Sequence, residues 1–220
     1  ATGSLAFGGT YSTNGGLGIA VSFSERNFLG RGQTLSLTIS GADDNKNYRL
    51  AFTEPAFLGR DVEFDFDLGY VETEGYNATY NTEVGNFGLG LTFPLGEQSR
   101  FGLRYKLENT AMTTSTGVTT GSIITNEIAR GDVLSSSLGY VYTFDTRTTG
   151  IDPNKGFLLE FSQDFAGIGG DTQFIRTKAR AVAQTRVLNE EVTLRATLRG
   201  GMLNYSKGSS RTIDRVGLLG

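Results

Sequence analysis

Cysteine and histidine are both absent from this 220-residue chain, and only three prolines occur. Without cysteine there is no disulfide framework and no thiolate metal site. Without histidine the commonest general base and the commonest metal ligand are gone, so most hydrolytic and metal-dependent mechanisms lose their usual parts. No run of eighteen apolar residues exists, which excludes a transmembrane helix. Basic charge is not in excess either: the net charge of -3 argues against nucleic acid as a partner. No signal peptide is visible at Ala1-Thr2-Gly3-Ser4, so a secreted protein would be read here in a mature or trimmed form.

What is present is alternation. In Val62-Glu63-Phe64-Asp65-Phe66-Asp67-Leu68-Gly69-Tyr70 every even position is apolar and every odd one is acidic or glycine. Successive side chains of a strand point to opposite faces, so one face is apolar and the other carries three carboxylates. Hydrophobic content is 38% and mean hydropathy -0.19, too low for a bundle of membrane helices. It suits a membrane barrel, whose strands present only alternate residues to lipid. The 31 glycines fit tight turns and strands that kink as a sheet curls.

Eleven amphipathic strands are predicted. The first runs from about Ser4 to Tyr11 and ends at Thr13-Asn14-Gly15-Gly16, a hairpin turn signal. The second runs from Leu17 to about Ser24. The third carries Leu35, Leu37 and Ile39; after a polar loop at 42–46 the fourth carries Tyr48, Leu50 and Phe52. The fifth is the stretch above. The sixth starts near Thr79 and stops at Pro94, and the seventh holds Phe101, Leu103, Tyr105 and Leu107. A long Thr/Ser/Gly-rich loop is expected from about Met112 to Asp132, with no helix anywhere. The eighth holds Leu134 to Phe144, the ninth Phe157 to Phe165, the tenth spans about Gln173 to Thr185 and the eleventh Val192 to about Leu203. The 112–132 loop, set against short connections at 27–32, 55–60, 94–100 and 189–190, orients the first strand as rising away from the periplasm. Phe28-Leu29-Gly30-Arg31 is echoed by Phe57-Leu58-Gly59-Arg60, both at periplasmic turns. Each reads as an aromatic anchor, a glycine turn and an arginine at headgroup level.

Charges collect on the polar faces: Glu63, Asp65 and Asp67 on the fifth strand, Arg104 and Lys106 on the seventh, Arg176, Lys178 and Arg180 on the tenth, Arg195 and Arg199 on the eleventh. An arginine facing lipid at the bilayer midplane costs roughly 2–4 kcal/mol, so these residues are expected to line a wet or paired lumen. Same-face carboxylates on one strand are solvated lumen charges before they are a catalytic pair. Asp43-Asp44-Asn45 lacks the spacing of a calcium loop, and no cofactor or metal is expected. A soluble β-sandwich would give the same period with the apolar face inward. Aromatics near strand ends and strands of roughly 9–11 residues favour the membrane. The fold class is therefore an all-β, antiparallel transmembrane β-barrel of the outer-membrane type. Since bacterial single-chain barrels have even strand counts, eleven strands read as part of a larger barrel, with residues 1–220 one partial barrel domain.

Several segments carry a resemblance. Thr2-Gly3-Ser4-Leu5-Ala6-Phe7-Gly8, Ser24-Glu25-Arg26-Asn27-Phe28-Leu29-Gly30-Arg31-Gly32, Thr53-Glu54-Pro55-Ala56-Phe57-Leu58-Gly59, Asp145-Thr146-Arg147 and Asp152-Pro153-Asn154-Lys155-Gly156 follow one another in the order found in BamA-type outer-membrane protein insertases, the bacterial surface antigen family. The resemblance implies a sixteen-stranded barrel preceded by periplasmic POTRA domains, of which the POTRA domains and the last five strands lie outside this chain. It implies a lateral gate at the first strand, here Thr2 to Tyr11 with Gly3, Ser4, Leu5, Ala6, Phe7, Gly8 and Gly9. It also implies that Arg211, Asp214 and Arg215 belong to the rising arm of a sixth outer loop, whose Val-Arg-Gly-Phe motif is not in this chain. Its partners would be unfolded outer-membrane protein clients, accessory lipoproteins of an assembly complex and the lipid bilayer, in the cell outer membrane of a Gram-negative bacterium. It is not expected to be an enzyme. The competing readings are a polypeptide transporter of the two-partner secretion type and a passive diffusion porin.

Overall fold

The computed structural model describes residues 3–13, 16–74, 79–115, 117, 119–147, 155–188 and 192–207. They form one antiparallel sheet of eleven strands in simple sequence order: β1 (Gly3–Ser12), β2 (Gly16–Phe28), β3 (Gln33–Gly41), β4 (Asn45–Glu54), β5 (Glu63–Glu74), β6 (Tyr80–Pro94), β7 (Ser99–Thr114), β8 (Val133–Asp145), β9 (Gly156–Ala166), β10 (Gln173–Val187) and β11 (Val192–Lys207). Each strand pairs only with its sequence neighbours, so β1 and β11 are the two edges of the sheet.

Which face is inside follows from accessibility. On β9 the apolar Phe157, Leu159, Phe161 and Phe165 are exposed, whereas Leu158, Ser162 and Asp164 between them are buried. On β10 Ile175 is exposed while Phe174, Val182 and Gln184 are buried. Side chains crowd on the concave face of a curled sheet and spread on the convex one. The sheet therefore curls around its polar face and turns its apolar face outward, the inverse of a soluble sandwich. Leu89 and Leu103 are exposed on that outer wall rather than packed in a central core.

The outer wall is bound by aromatic contacts between neighbouring strands. Tyr140 packs on Phe101, Phe161 and Phe165, Phe66 meets Phe87 edge-on, and Phe144 packs on Phe157. Polar groups on this face are paired among themselves: the Tyr105 and Ser136 hydroxyls lie 2.9 Å apart, and Tyr140 donates to Gln163 Oε1 at 2.7 Å. Hydrocarbon offers no partners, so such groups must find them within the wall.

Two expectations change. The loop expected from Met112 starts later, because β7 runs on to Thr114 with Met112 buried. The connection beyond it holds a helix, α1 (Ser122–Ile128), that packs on β7 and buries Glu127 beside Arg130. Ile123, Ile124 and Thr125 are weak helix formers, so composition gave no helical signal and packing decides. The polar loop at 42–46 shrinks to 42–44, since Lys46 already sits in β4 and pairs with Glu72 across to β5 at 3.0 Å.

The Phe-Leu-Gly-Arg echo is a structural repeat longer than its four letters. In the first copy Glu25 Oε1 accepts the Asn27 N–H at 3.0 Å, the Gly30 N–H donates to the Asn27 carbonyl at 3.0 Å, and the Arg31 N–H to the Phe28 carbonyl at 3.3 Å. In the second, Glu54 Oε1 accepts the Ala56 N–H at 3.1 Å, the Gly59 N–H donates to the Ala56 carbonyl at 2.9 Å, and the Arg60 N–H to the Phe57 carbonyl at 3.2 Å. The dihedrals match as well: Leu29 and Leu58 both have φ 55, followed by Gly30 at 73 and Gly59 at 71. A leucine there costs roughly 1–2 kcal/mol relative to right-handed backbone. Gln33 Nε2 also donates to Glu54 Oε2, tying β3 to the end of β4.

Candidate functional site

The sequence marks two candidate regions, the charged inner face and the first strand. Residues directly opposite in an antiparallel pair share a face, and the register lines Arg104 (β7), Gly139 (β8), Asp164 (β9) and Arg176 (β10) in one row. Arg104 Nε donates to Asp164 Oδ1 at 2.7 Å and Arg176 Nε to Asp164 Oδ2 at 3.2 Å. Asp164, 5% exposed, thus sits between two guanidinium groups. Arg104 can span β8 only because Gly139 has no side chain: a Cβ there would lie 2.2 Å from Asp164 Oδ1 and 2.7 Å from the Gln163 carbonyl oxygen. Arg176 also lies over the Phe174 ring, 5.8 Å from its centroid, and Phe174 packs on Tyr205 of β11.

The other charges are distributed along the same face. Lys106 pairs with Glu108 on its own strand. Lys178 stands opposite Ser162 and Gly201, and Arg180 stands between Glu160 and Arg199. Arg195 faces Gln184, and both β11 arginines are exposed at the sheet edge. The acidic row is held by neighbours rather than by cations. Thr53 Oγ1 donates to Asp65 Oδ1 at 2.7 Å and Asn86 Nδ2 to Asp67 Oδ2 at 2.8 Å. The Asp67 carboxylate lies over Gly88, where a Cβ would meet Oδ1 at 2.1 Å. Glu63 completes the row on β5. The register nevertheless places Asp65 and Asp67 in the rows of Arg104 and Lys106, across Gly90 and Gly88 of β6, and among the described residues no group of acids is placed to hold a metal.

Sequence reading missed Asp164, the hub of this network. Its signal was available: Leu158, Glu160, Ser162 and Asp164 are the polar-face positions between Phe157, Leu159, Phe161 and Phe165. Gly139 could not be singled out among so many glycines without the register. Arg211, Asp214 and Arg215 lie outside the described residues.

At the end of β8, Arg147 grips Asp145 with both prongs, Nε to Oδ1 at 2.9 Å and a terminal nitrogen to Oδ2 at 2.8 Å. This bidentate bond holds the Arg147 guanidinium pKa above its ordinary value. Thr146 clips the same turn to Phe157 of β9, its N–H and Phe157's carbonyl 2.9 Å apart.

β1 differs from the rest of the wall. It pairs on one side only, Gly8 with Ala20 and Gly9 with Ile19. Its outward Leu5, Phe7 and Tyr11 are exposed, Phe7 at 75%. Its inward positions are small, Ser4, Ala6, Gly8 and Thr10, as are Ser22, Ala20 and Gly18 opposite. A Cβ at Gly8 would approach nothing closer than Ala20 Cβ at 4.0 Å, and one at Gly9 only the Gly18 carbonyl at 3.8 Å. Neighbouring atoms therefore do not require these two glycines.

An antiparallel meander with an apolar outer wall, polar groups paired within it and an ion-paired inner face defines the outer-membrane β-barrel class. The family is more specific. An Omp85 superfamily domain matches residues 27–214, and the chain belongs to that superfamily. It is 26% identical over 216 residues to the outer membrane protein assembly factor BamA of Nitratidesulfovibrio vulgaris, covering 97% of this chain and 27% of that protein. It is also 26% identical over 185 residues to the human sorting and assembly machinery component 50 homolog, covering 80% of this chain and 37% of that protein. The crystal structure of BamA from Haemophilus ducreyi lacking POTRA domains 1-3 superposes with a TM-score of 0.67 at 20% identity, over 92% of this chain and 41% of that one. The chain thus spans between about a quarter and two fifths of the length of these relatives. Fold and family place it in the outer membrane.

Proposed function

We propose that this chain forms the first eleven strands of an insertase barrel that folds and inserts other outer-membrane β-barrel proteins, with β1 as the gate strand. The observation that carries this reading is an exposed, glycine-bearing edge strand in a chain 26% identical to a BamA over 97% of its length. An edge strand offers a row of unpaired N–H and C=O groups, a template onto which a client strand adds. In lipid no water competes for those groups, so the template is strong. The protein acts without catalytic chemistry; the driving force is the client's own folding and burial. POTRA domains and closing strands come from the rest of the protein, as the greater length of the relatives supports. The clients are unfolded barrel proteins, and accessory lipoproteins complete the complex.

The test locks the seam in the full-length protein, with one cysteine at Ala6 and its partner on the last barrel strand. Oxidation is expected to abolish client assembly and reduction to restore it. Undiminished assembly with the seam locked refutes the gate. A wide, steady conductance in single-channel recordings would instead favour a diffusion porin.

A further inference from the structure

Leu29, Leu58 and Leu188 are the non-glycine residues with positive φ among the described residues, at 55, 55 and 53. All three lie on connections that run from an even strand to the next odd one, on the rim opposite the connection between β7 and β8. All are strongly exposed, at 75%, 82% and 71%. A branched apolar residue in left-handed backbone and in water is unfavourable twice over, since glycine or asparagine suits that backbone better and polar residues suit that surface better. Strain of this kind points to a contact that the chain does not make with itself.

We propose that these leucines are studs inserted into the phospholipid leaflet at that rim, fixing the depth of the barrel wall in the membrane. Aromatic residues already flank the leucines on that surface. Phe57 stacks on Phe64 of the outer wall with ring centroids 5.0 Å apart, and Leu58 is the next residue. Phe28 stands opposite Gln33 at the equivalent rim position of β2 and β3, and Leu29 follows it. Arg31 and Arg60, two residues beyond each leucine, are exposed and supply cations at the level of the lipid phosphates. The turn between β6 and β7 adds an exposed Leu95. The proposal rests on the membrane placement of the barrel and is independent of the gate reading.

The test uses the full-length protein in vesicles of phosphatidylethanolamine and phosphatidylglycerol. Leu29→Cys and Leu58→Cys are made separately, labelled with a nitrobenzoxadiazole dye, and compared with Asn126→Cys, an exposed position of α1 on the opposite rim, as the water-exposed reference. Blue-shifted emission, quenched at least twofold by spin labels placed on lipid headgroups or shallow acyl carbons, is the expected result, because an interfacial side chain sits ~5–10 Å deep. Water-like emission quenched by iodide overturns the proposal. So does blue-shifted emission that no lipid spin label reaches, which would mean that another protein segment covers the leucines. Heat-resistant gel mobility confirms folding of each variant; the two turns are equivalent, so either one suffices if the other fails to fold.

Discussion

Gly8 and Gly9 of β1 and Gly88 and Gly139 of the β6–β8 wall have the same chemistry and opposite surroundings. At Gly139 and Gly88 an added Cβ would fall 2.2 Å and 2.1 Å from a carboxylate oxygen. Their absent side chains are spaces that polar groups of the next strand fill. At Gly8 and Gly9 nothing lies closer than 3.8 Å. Backbone freedom is what remains to explain them, and glycine within a strand weakens it. The interior of the sheet is locked by ions laid across glycine gaps, while its β1 edge is left loose.

The largest effect is expected at the centre of the locked region. Asp164→Ala leaves Arg104 and Arg176 facing each other without a counter-charge. Breaking a fully buried ion pair costs about 3–5 kcal/mol. Arg104 is 38% exposed at its side chain and recovers some hydration, so a loss of about 2–3 kcal/mol is expected in urea unfolding of the vesicle-embedded protein. A change below about 0.5 kcal/mol, the usual range for surface sites, would mean the network is ornamental. Gly139→Ala comes next, at about 1–3 kcal/mol from overpacking. Its Cβ is opposed by the Gln163 backbone as well as by Asp164, so the double variant Gly139→Ala/Asp164→Ala should recover only part of the loss. Full recovery would put the clash on the carboxylate alone.

Tyr105→Phe probes the outer wall of the same region. It removes a hydrogen bond of 2.9 Å to the hydroxyl of Ser136, which is 1% exposed. About 1 kcal/mol is expected, read from the same unfolding transition. A Tyr70→Phe control, near the Glu72 and Glu83 carboxylates on a more exposed stretch, should change little.

Strand number and the direction each face points were legible because alternation fixes both, as Phe64-Asp65-Phe66-Asp67 does on β5. Strand ends were less so: β7 continues through Glu108-Asn109-Thr110-Ala111-Met112, where the alternation of hydrophobicity fades although the pairing with β6 does not. The short helix α1 had no periodic signal and is fixed by its contact with β7. In the candidate site the charged residues were visible one strand at a time. Their partners were not, because Arg104 and Asp164 are joined through a register spanning sixty residues of sequence. Glycine was the least legible residue. Gly9 and Gly139 look alike in sequence, and only the adjacent strand separates a required gap from a tolerated one.

The comparison is sharpest at Gly8 and Gly9. Since both sites have room for a methyl group and neither has positive φ, Gly8→Ala and Gly9→Ala should each raise stability by about 0.5–1 kcal/mol by removing chain entropy from the unfolded state. If β1 is a gate, the same substitutions should slow client assembly, because a stiffer strand that pairs better opens less readily. Measuring unfolding and assembly on the same variants separates the two regions. Stability gained with assembly lost marks a strand kept weak for its function; stability gained with assembly unchanged marks ordinary barrel glycines. A destabilisation as large as that of Gly139→Ala would show that the space beside Gly8 and Gly9 is filled, and the contrast between the two regions would then disappear.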